Sequence, residues 1–351
     1  VSLPPDLLRL AEHHRRRQQE IARRLARLMA SMWRRVDAAA PLASWQVLPA
    51  VQAMTMAQLA AADGATAYVS AALALQDADP AAGQVAPASL AGVASDGRPL
   101  DTLLMQPALE AEALIAAGAV SRLALLTGAK RLNRIVVTQV ADASRVATGV
   151  ATTGAPGATG YIRMLTPPSC SRCVILAGRW YAAATAFRRH PRCDCVHIPA
   201  AENLRSAVTS PQDYFDSLSE AEQNKVFTIA GAHAIRDGAD ISQVVNARRG
   251  GAGLSPAGAR LTAEELRILR RERGRLERVN VFGRDLFVTT EGTTVRGTAG
   301  VRLSARETGT RRDGSRYRTA RAPRLMPESI YEIAENREDA IRLLKRYGYL
   351  L

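Results

Sequence analysis

Apolar side chains in the first stretch of the chain recur at helical spacing. From Pro5 to Val36, the residues Leu7, Leu8, Leu10, Ile21, Leu25, Leu28, Met32 and Val36 stand mostly three or four positions apart. Arg15, Arg16, Arg17, Arg23, Arg24, Arg27, Arg34 and Arg35 fall between them. That period predicts an amphipathic helix with an arginine-rich outer face. The alanine-rich sequence from Trp45 to Leu75 predicts more helix through intrinsic propensity. A loop rich in Pro, Gly, Ser and Asp follows from Asp77 to Pro99. Pro107 suits the first turn of a helix running through Leu126, and Lys130 to Val146 predicts another, although "RIVVTQV" also fits a strand. The stretch "TTGAPGATG", Thr152 to Gly160, breaks the pattern and reads as a linker.

Beyond it, Pro211 to Gln243 is again helical in pattern, with Ser219 placed to cap a helix and Gly238 to end one. Arg248 to Arg324 is basic and Gly-rich, with a short helix near Thr262 to Arg273 and a hairpin within "NVFGRDLFVTTEGTTVRGTAGVRL". "RETGTRRDGSRYRTARAPR" has too few apolar residues for a core and reads as an extended arm ordered against a partner. Pro327 to Leu351 offers one or two helices and an apolar tail that docks. The expected fold class is mainly α: an N-terminal helical domain (1–151), a linker (152–160), a small zinc-knuckle α+β module (161–200), a helical segment (201–247), a basic region with a β-hairpin and an extended arm (248–325), and a C-terminal helical tail (326–351).

Charge adds a partner class. The 351 residues hold 47 basic and 33 acidic side chains, a net +14, and only Lys130, Lys225 and Lys345 are lysines. An excess of guanidinium favours polyanions: nucleic acid or acidic protein surfaces. The candidate contacts are Arg15, Arg16, Arg17, Arg23 and Arg24 on the first helix, and Arg248, Arg249, Arg311 and Arg312 in the basic region. Nothing in their spacing reads bases, so contact with DNA is expected to be non-specific and weakened by salt. The longest apolar region, Thr102 to Leu126, is interrupted by Glu110, Glu112 and Arg122, so no membrane span is expected. The N-terminal residues lack the pattern of a secretory signal, and assembly in the cytoplasm is expected.

All four cysteines lie in "CSRCVILAGRWYAAATAFRRHPRCDCVHIP". Cys170 and Cys173 form a C-x2-C pair, and Cys193 and Cys195 a C-x-C pair, close to common zinc spacings. Two thiolates on a tight turn can face one ion, and a second turn completes a tetrahedron. His190, three residues before Cys193, makes a fifth candidate, either replacing one cysteine or hydrogen-bonding to a ligand. Four protein ligands leave no position for an activated water, so the expected Zn2+ is structural. Two disulfides would need an oxidising compartment, a redox C-x2-C a βαβ context, and a thiol nucleophile based by His190 would leave three cysteines unused. His13 and His14 are expected on the surface of the first helix, His197 in a partly buried strand, and His233 against its own helix.

"CSRCVILAGRWY" followed by "FRRHPRCDCVHIP" resembles the C-x2-C...H-P-x-C-x-C signature of MuF-like phage minor head proteins. With "ASDGRPL", "YFDSLSEAEQNKVFTIAGAHAIRDGADISQVVNARRG", "TTEGTTVRG" and "RLMPESIYEIAENREDAIRLLKRYGYL", the likeness covers roughly residues 90 to 351 and extends to the actinobacteriophage branch commonly labelled capsid maturation protease. The resemblance implies a virion-assembly protein inside the head, near the portal protein and packaged double-stranded DNA, with major capsid or scaffold protein as further partners. The label implies, as the alternative, a protease cleaving scaffold or capsid proteins. No catalytic constellation is evident: Ser217, Ser219, His233 and Asp240 are neighbours in sequence without a spacing that joins them. A zinc-dependent reader of DNA sequence is disfavoured by the apolar "VILAGRWYAAATAF" between the cysteine pairs.

Overall fold

The computed structural model describes residues 3–165, 169–176, 179–183, 195–204, 210–248, 276–281, 284–311, 316–322 and 324–350. These residues are mainly helical, with two small antiparallel sheets. The chain divides into two compact units: Val1–Pro167 with Ala177–Thr209, and Pro168–Leu176 with Ser210–Leu351.

The first unit holds helices α1 (Pro5–Trp33), α2 (Pro41–Ser44), α3 (Val47–Ala62), α4 (Ala65–Ala74), α5 (Leu100–Ala116) and α6 (Ser121–Thr153). Its main core combines Leu25, Met29 and Trp33 of α1 with Met54 of α3, Leu104 of α5, and Leu132, Val136 and Val140 of α6. Trp33 meets Trp45 edge-on at 5.2 Å. Each indole N–H finds a carbonyl, Trp33 at Leu125 (3.0 Å) and Trp45 at Leu104 (2.9 Å), so neither buries an unpaired donor.

Several boundaries differ from those the sequence predicts, for local reasons. The helix expected from Trp45 to Leu75 breaks at Gly64, whose φ of +77° lets the chain turn before α4. Pro107 lies inside α5 instead of at its start. A proline there forfeits one backbone hydrogen bond, but Leu100, Leu103, Leu104, Ala108 and Ala111 are buried along the same helix. The Lys130 to Val146 stretch is helix, not strand, within the 33 residues of α6, where Ile135, Val136 and Val140 share the core-facing side.

After α6 come strands β1 (Gly160–Met164), β2 (Trp180–Ala182) and β3 (Val196–Ala200), all antiparallel in the order β2-β1-β3, with Ile162 opposite Ile198. They pack with helices of the same unit: Ile162 and Ile198 share a core with Leu7 and Ala11 of α1 and with Tyr68, Val69 and Leu73 of α4. Gln76 fastens this junction, donating to the Pro199 carbonyl at 2.9 Å and accepting from Ala201 N at 2.8 Å.

The second unit contains α7 (Ser171–Val174), α8 (Pro211–Asp216), α9 (Glu220–Phe227), α10 (Ile229–Arg236), α11 (Ile241–Ala247), α12 (Thr298–Arg302), α13 (Pro327–Ile333) and α14 (Arg337–Arg346). Strands β4 (Leu276–Val281) and β5 (Arg284–Thr289) form the expected hairpin, and β6 (Arg324–Leu325) pairs with β5. The hairpin ends at Thr289, because the glycine-rich residues after it make a turn and α12 instead. Gly300 N donates to the Gly292 carbonyl at 2.8 Å across that turn. The helix expected near Thr262 to Arg273 lies outside the described residues. The tail docks as expected: Tyr349 is fully buried, donates from its hydroxyl to the Leu325 carbonyl at 2.9 Å, and accepts from Asp240 N at 2.8 Å. Among the described residues no helix is long and apolar enough to cross a membrane.

Candidate metal centre and basic faces

Cys170 caps α7 with an extended backbone (φ −69°, ψ 151°), and its carbonyl accepts from Cys173 N at 2.9 Å and Val174 N at 3.1 Å. This tight turn brings the two Sγ atoms to 3.2 Å. That is too long for a bond between them, and close enough for both to reach one ion about 2.3 Å from each. Cys173 is fully buried and Cys170 partly exposed. The turn is anchored from behind, where the Tyr214 hydroxyl accepts from Ser169 N at 2.8 Å. Both cysteines belong to the second unit.

Cys195 belongs to the first unit, buried at the entry to β3. Its carbonyl accepts from Arg145 Nε at 2.8 Å, and Arg145 in turn pairs with Asp142 at 3.1 Å. His190 and Cys193 lie outside the described residues. Among those described, no three His, Cys, Asp or Glu side chains form a cluster able to hold a metal ion.

The histidines divide by environment. His13 is exposed as expected, but His14 is not: the helix period turns it inward, only 6% exposed. It stacks on Tyr68, and its Nε2 lies 3.3 Å from Ser144 Oγ. Burial, reinforced by the positive charge of Arg17 and His13, pulls its pKa down to about 4. His197 is a buried β3 residue stacked on Tyr161 at 4.3 Å. His233 lies 3.6 Å from Asp237 on its own helix and stacks on Tyr331 of α13 at 4.1 Å. Asp237 accepts from the Tyr331 hydroxyl at 2.7 Å and from Arg337 at 2.9 Å, which ties α10 to α13 and α14.

The serine and aspartate neighbours considered for proteolysis hold structural posts. Ser219 caps α9 in a reciprocal box with Glu222, and Asp240 caps α11 by accepting from Gln243 N at 2.8 Å. Ser217 donates to the Tyr214 carbonyl at 2.7 Å. The Ser144–His14 pair is buried between α1 and α6, where no substrate reaches it.

On α1, carboxylates are threaded among the arginines. Glu12 accepts from Arg15 at 2.7 Å and Arg16 at 2.8 Å, and the Arg15 hydrogen bond chiefly drives its pKa down to about 2. Glu20 gathers Arg24 at 2.8 Å, with Arg23 and Arg27 each at 3.7 Å. Arg17 reaches Asp63 at 3.1 Å. Two glutamates thus face five arginines, so the helix keeps a positive excess, and the exposed pairs around Glu20 hold only weakly against a competing phosphate.

Arg248 is ion-paired with Glu328 and donates to Thr228 Oγ1 at 2.9 Å. Thr228 has a φ of +70°, unusual for a β-branched residue, and is held there by capping α10 through Gly231 N at 3.2 Å. Arg311 is described only to the edge of its segment, and Arg249 and Arg312 lie outside the described residues. Sequence reasoning missed Arg324, whose buried guanidinium donates to the carbonyls of Tyr347 (2.9 Å), Glu291 (2.9 Å) and Gly348 (3.2 Å) and lies 4.1 Å over the Tyr349 ring. Burial lowers its pKa from the ordinary value. No spacing signal distinguishes it from the basic residues around it.

A family model described as VG15 protein matches residues 8–221. The match takes in the N-terminal helices, for which sequence motifs gave no assignment, and the whole cysteine segment, and it ends before residues 222–351. No curated protein and no solved structure matches the chain.

Proposed function

We propose that this chain, which belongs to the VG15 protein family, is a virion-associated phage protein and a minor head component acting inside the head close to the portal. The observation that carries this reading is the coincidence of two features in one segment. The family match covers the cysteine signature, and within it the Cys170–Cys173 turn presents two sulfurs 3.2 Å apart.

In this reading the segment holds a structural Zn2+ with ligands drawn from Cys170, Cys173, His190, Cys193 and Cys195. When bound, the ion supplies coordination energy to a short segment with little core of its own. The arginine excess on α1, together with Arg249, Arg311 and Arg312, supplies non-specific attraction to packaged DNA or to an acidic portal surface. Major capsid and scaffold proteins are the remaining partners. Assembly takes place in the host cytoplasm.

The protease alternative draws no support from the described residues, since Ser219 and Asp240 cap helices and His233 is engaged by Asp237 and Tyr331. Co-expression with portal, scaffold and major capsid protein tests the two together. The expected result is co-purification with portal and intact scaffold and capsid chains. New cleavage products that depend on this chain would overturn it.

A further inference from the structure

Residues 316–320 are clamped between two other stretches of the second unit. Val295 N donates to the Arg318 carbonyl at 3.1 Å, Ala320 N to the Thr293 carbonyl at 2.9 Å, and Thr310 and Thr319 exchange two backbone hydrogen bonds of 2.9 Å. This frame sets Arg306, Arg316, Tyr317 and Arg318, with Val295, around an open pocket of about 450 Å³. The guanidinium of Arg296 lies 4.8 Å over the Tyr317 ring, and that of Arg316 lies 5.9 Å from it.

Among the described residues no carboxylate lines the pocket, and Arg296, Arg306, Arg316 and Arg318 form no ion pair there. This contrasts with α1, where glutamates are interleaved with the arginines. Three like charges on one concavity repel each other unless an anion joins them. Guanidinium presents a planar fork of donors that matches phosphate oxygens, and an aromatic face restricts where that fork can turn. Three guanidiniums held around one concavity by the backbone clamp, beside an aromatic ring, indicate the same ligand.

We propose that Arg306, Arg316 and Arg318 bind the phosphate groups of a phosphodiester or polyphosphate chain, with Tyr317 as the aromatic face beside the Arg316 guanidinium. DNA as the source of those phosphates rests on the function proposed above. The anion chemistry of the pocket does not.

Two probes applied to the full chain separate the sources: a short labelled DNA duplex of arbitrary sequence, titrated at several salt concentrations, and sodium tripolyphosphate, followed by thermal shift. A variant carrying Arg306→Gln, Arg316→Gln and Arg318→Gln is expected to melt close to the parent without probe, since relief of like-charge repulsion offsets the loss of the exposed Arg316–Tyr317 contact and of the long Arg318 hydrogen bond to the Arg306 carbonyl. It should bind duplex at least about tenfold more weakly at low salt, with a log–log salt slope shallower by about three. The matching Arg→Lys variant should keep that slope while binding less tightly, because it retains charge without the fork. If the glutamine variant does not fold, single substitutions should each flatten the slope by about one.

If the parent binds duplex and the glutamine variant matches it in affinity and slope, with equal tripolyphosphate shifts, the pocket assignment is overturned while DNA binding stands. If the parent ignores duplex but loses its tripolyphosphate shift on substitution, the pocket stands with free polyphosphate as its ligand and the DNA reading falls.

Discussion

The imidazole of His14 lies flat on the phenol ring of Tyr68, with centroids 4.1 Å apart and planes within 8°. Tyr68 in turn donates to the His197 carbonyl at 2.8 Å, so one stack connects α1, α4 and β3. A charged imidazole does not suit this position. The folded-state pKa is about 4 against an ordinary 6.5, so the unfolded chain takes up a proton first as pH falls. Stability is therefore untouched by this group above about pH 6.5 and drains between there and pH 4, by about 3 kcal/mol in total. Urea melts across that range check it. The variant His14→Phe, which keeps a ring and cannot charge, should show a flatter acid limb.

Gly128 faces Trp33 across the α1–α6 contact. A Cβ there would sit 2.4 Å from the indole and 2.7 Å from the Pro107 carbonyl. Alanine favours helix over glycine by about 1 kcal/mol, but this contact leaves no room for a methyl group. Gly128→Ala should destabilise the first unit by about 1–3 kcal/mol. Thermal melting and a shift in tryptophan emission would register it.

Arg324 carries a different kind of cost. Its guanidinium satisfies three backbone carbonyls and Gln243 Oε1, at 3.2 Å, inside the second unit. Arg324→Ala strips these acceptors of their donor at a buried point and should cost about 3–5 kcal/mol. Arg324→Lys should recover only part of this, since an ammonium cannot span the same fork. Denaturant midpoints of the two variants rank them.

Cys173 is fully buried and shares its turn with Cys170. In Cys173→Ser, zinc content should fall from about one ion per chain and the melting temperature should fall with it. Elemental analysis beside calorimetry decides; zinc content equal to the parent's would contradict the assignment.

Much of the helical layout was legible because its signals are local. The period of Leu25, Met32 and their neighbours gave α1, Ser219 and Gly238 marked helix ends, and "NVFGRDLFVTTEGTTVRGTAGVRL" marked a hairpin. What escaped depended on distant contacts. His14 looked like a surface histidine because its neighbours are polar, and only packing against Tyr68 and Ser144 shows its inward direction. Pro107 sits mid-helix because buried neighbours offset the hydrogen bond it lacks. The strands around Ile162 share a core with Leu7, a partner far away in sequence, which composition around the linker does not reveal. Arg324 and the pocket at Tyr317 stood within a basic run, and only tertiary placement separates the buried cation from the exposed cluster.

The central claim concerns where the protein ends up. Gradient-purified particles, opened and fractionated, should yield this chain at a few copies per head, travelling with the portal fraction and accompanied by zinc. Its absence from purified particles, with scaffold or capsid cleavage lost when its gene is disrupted, would contradict the account.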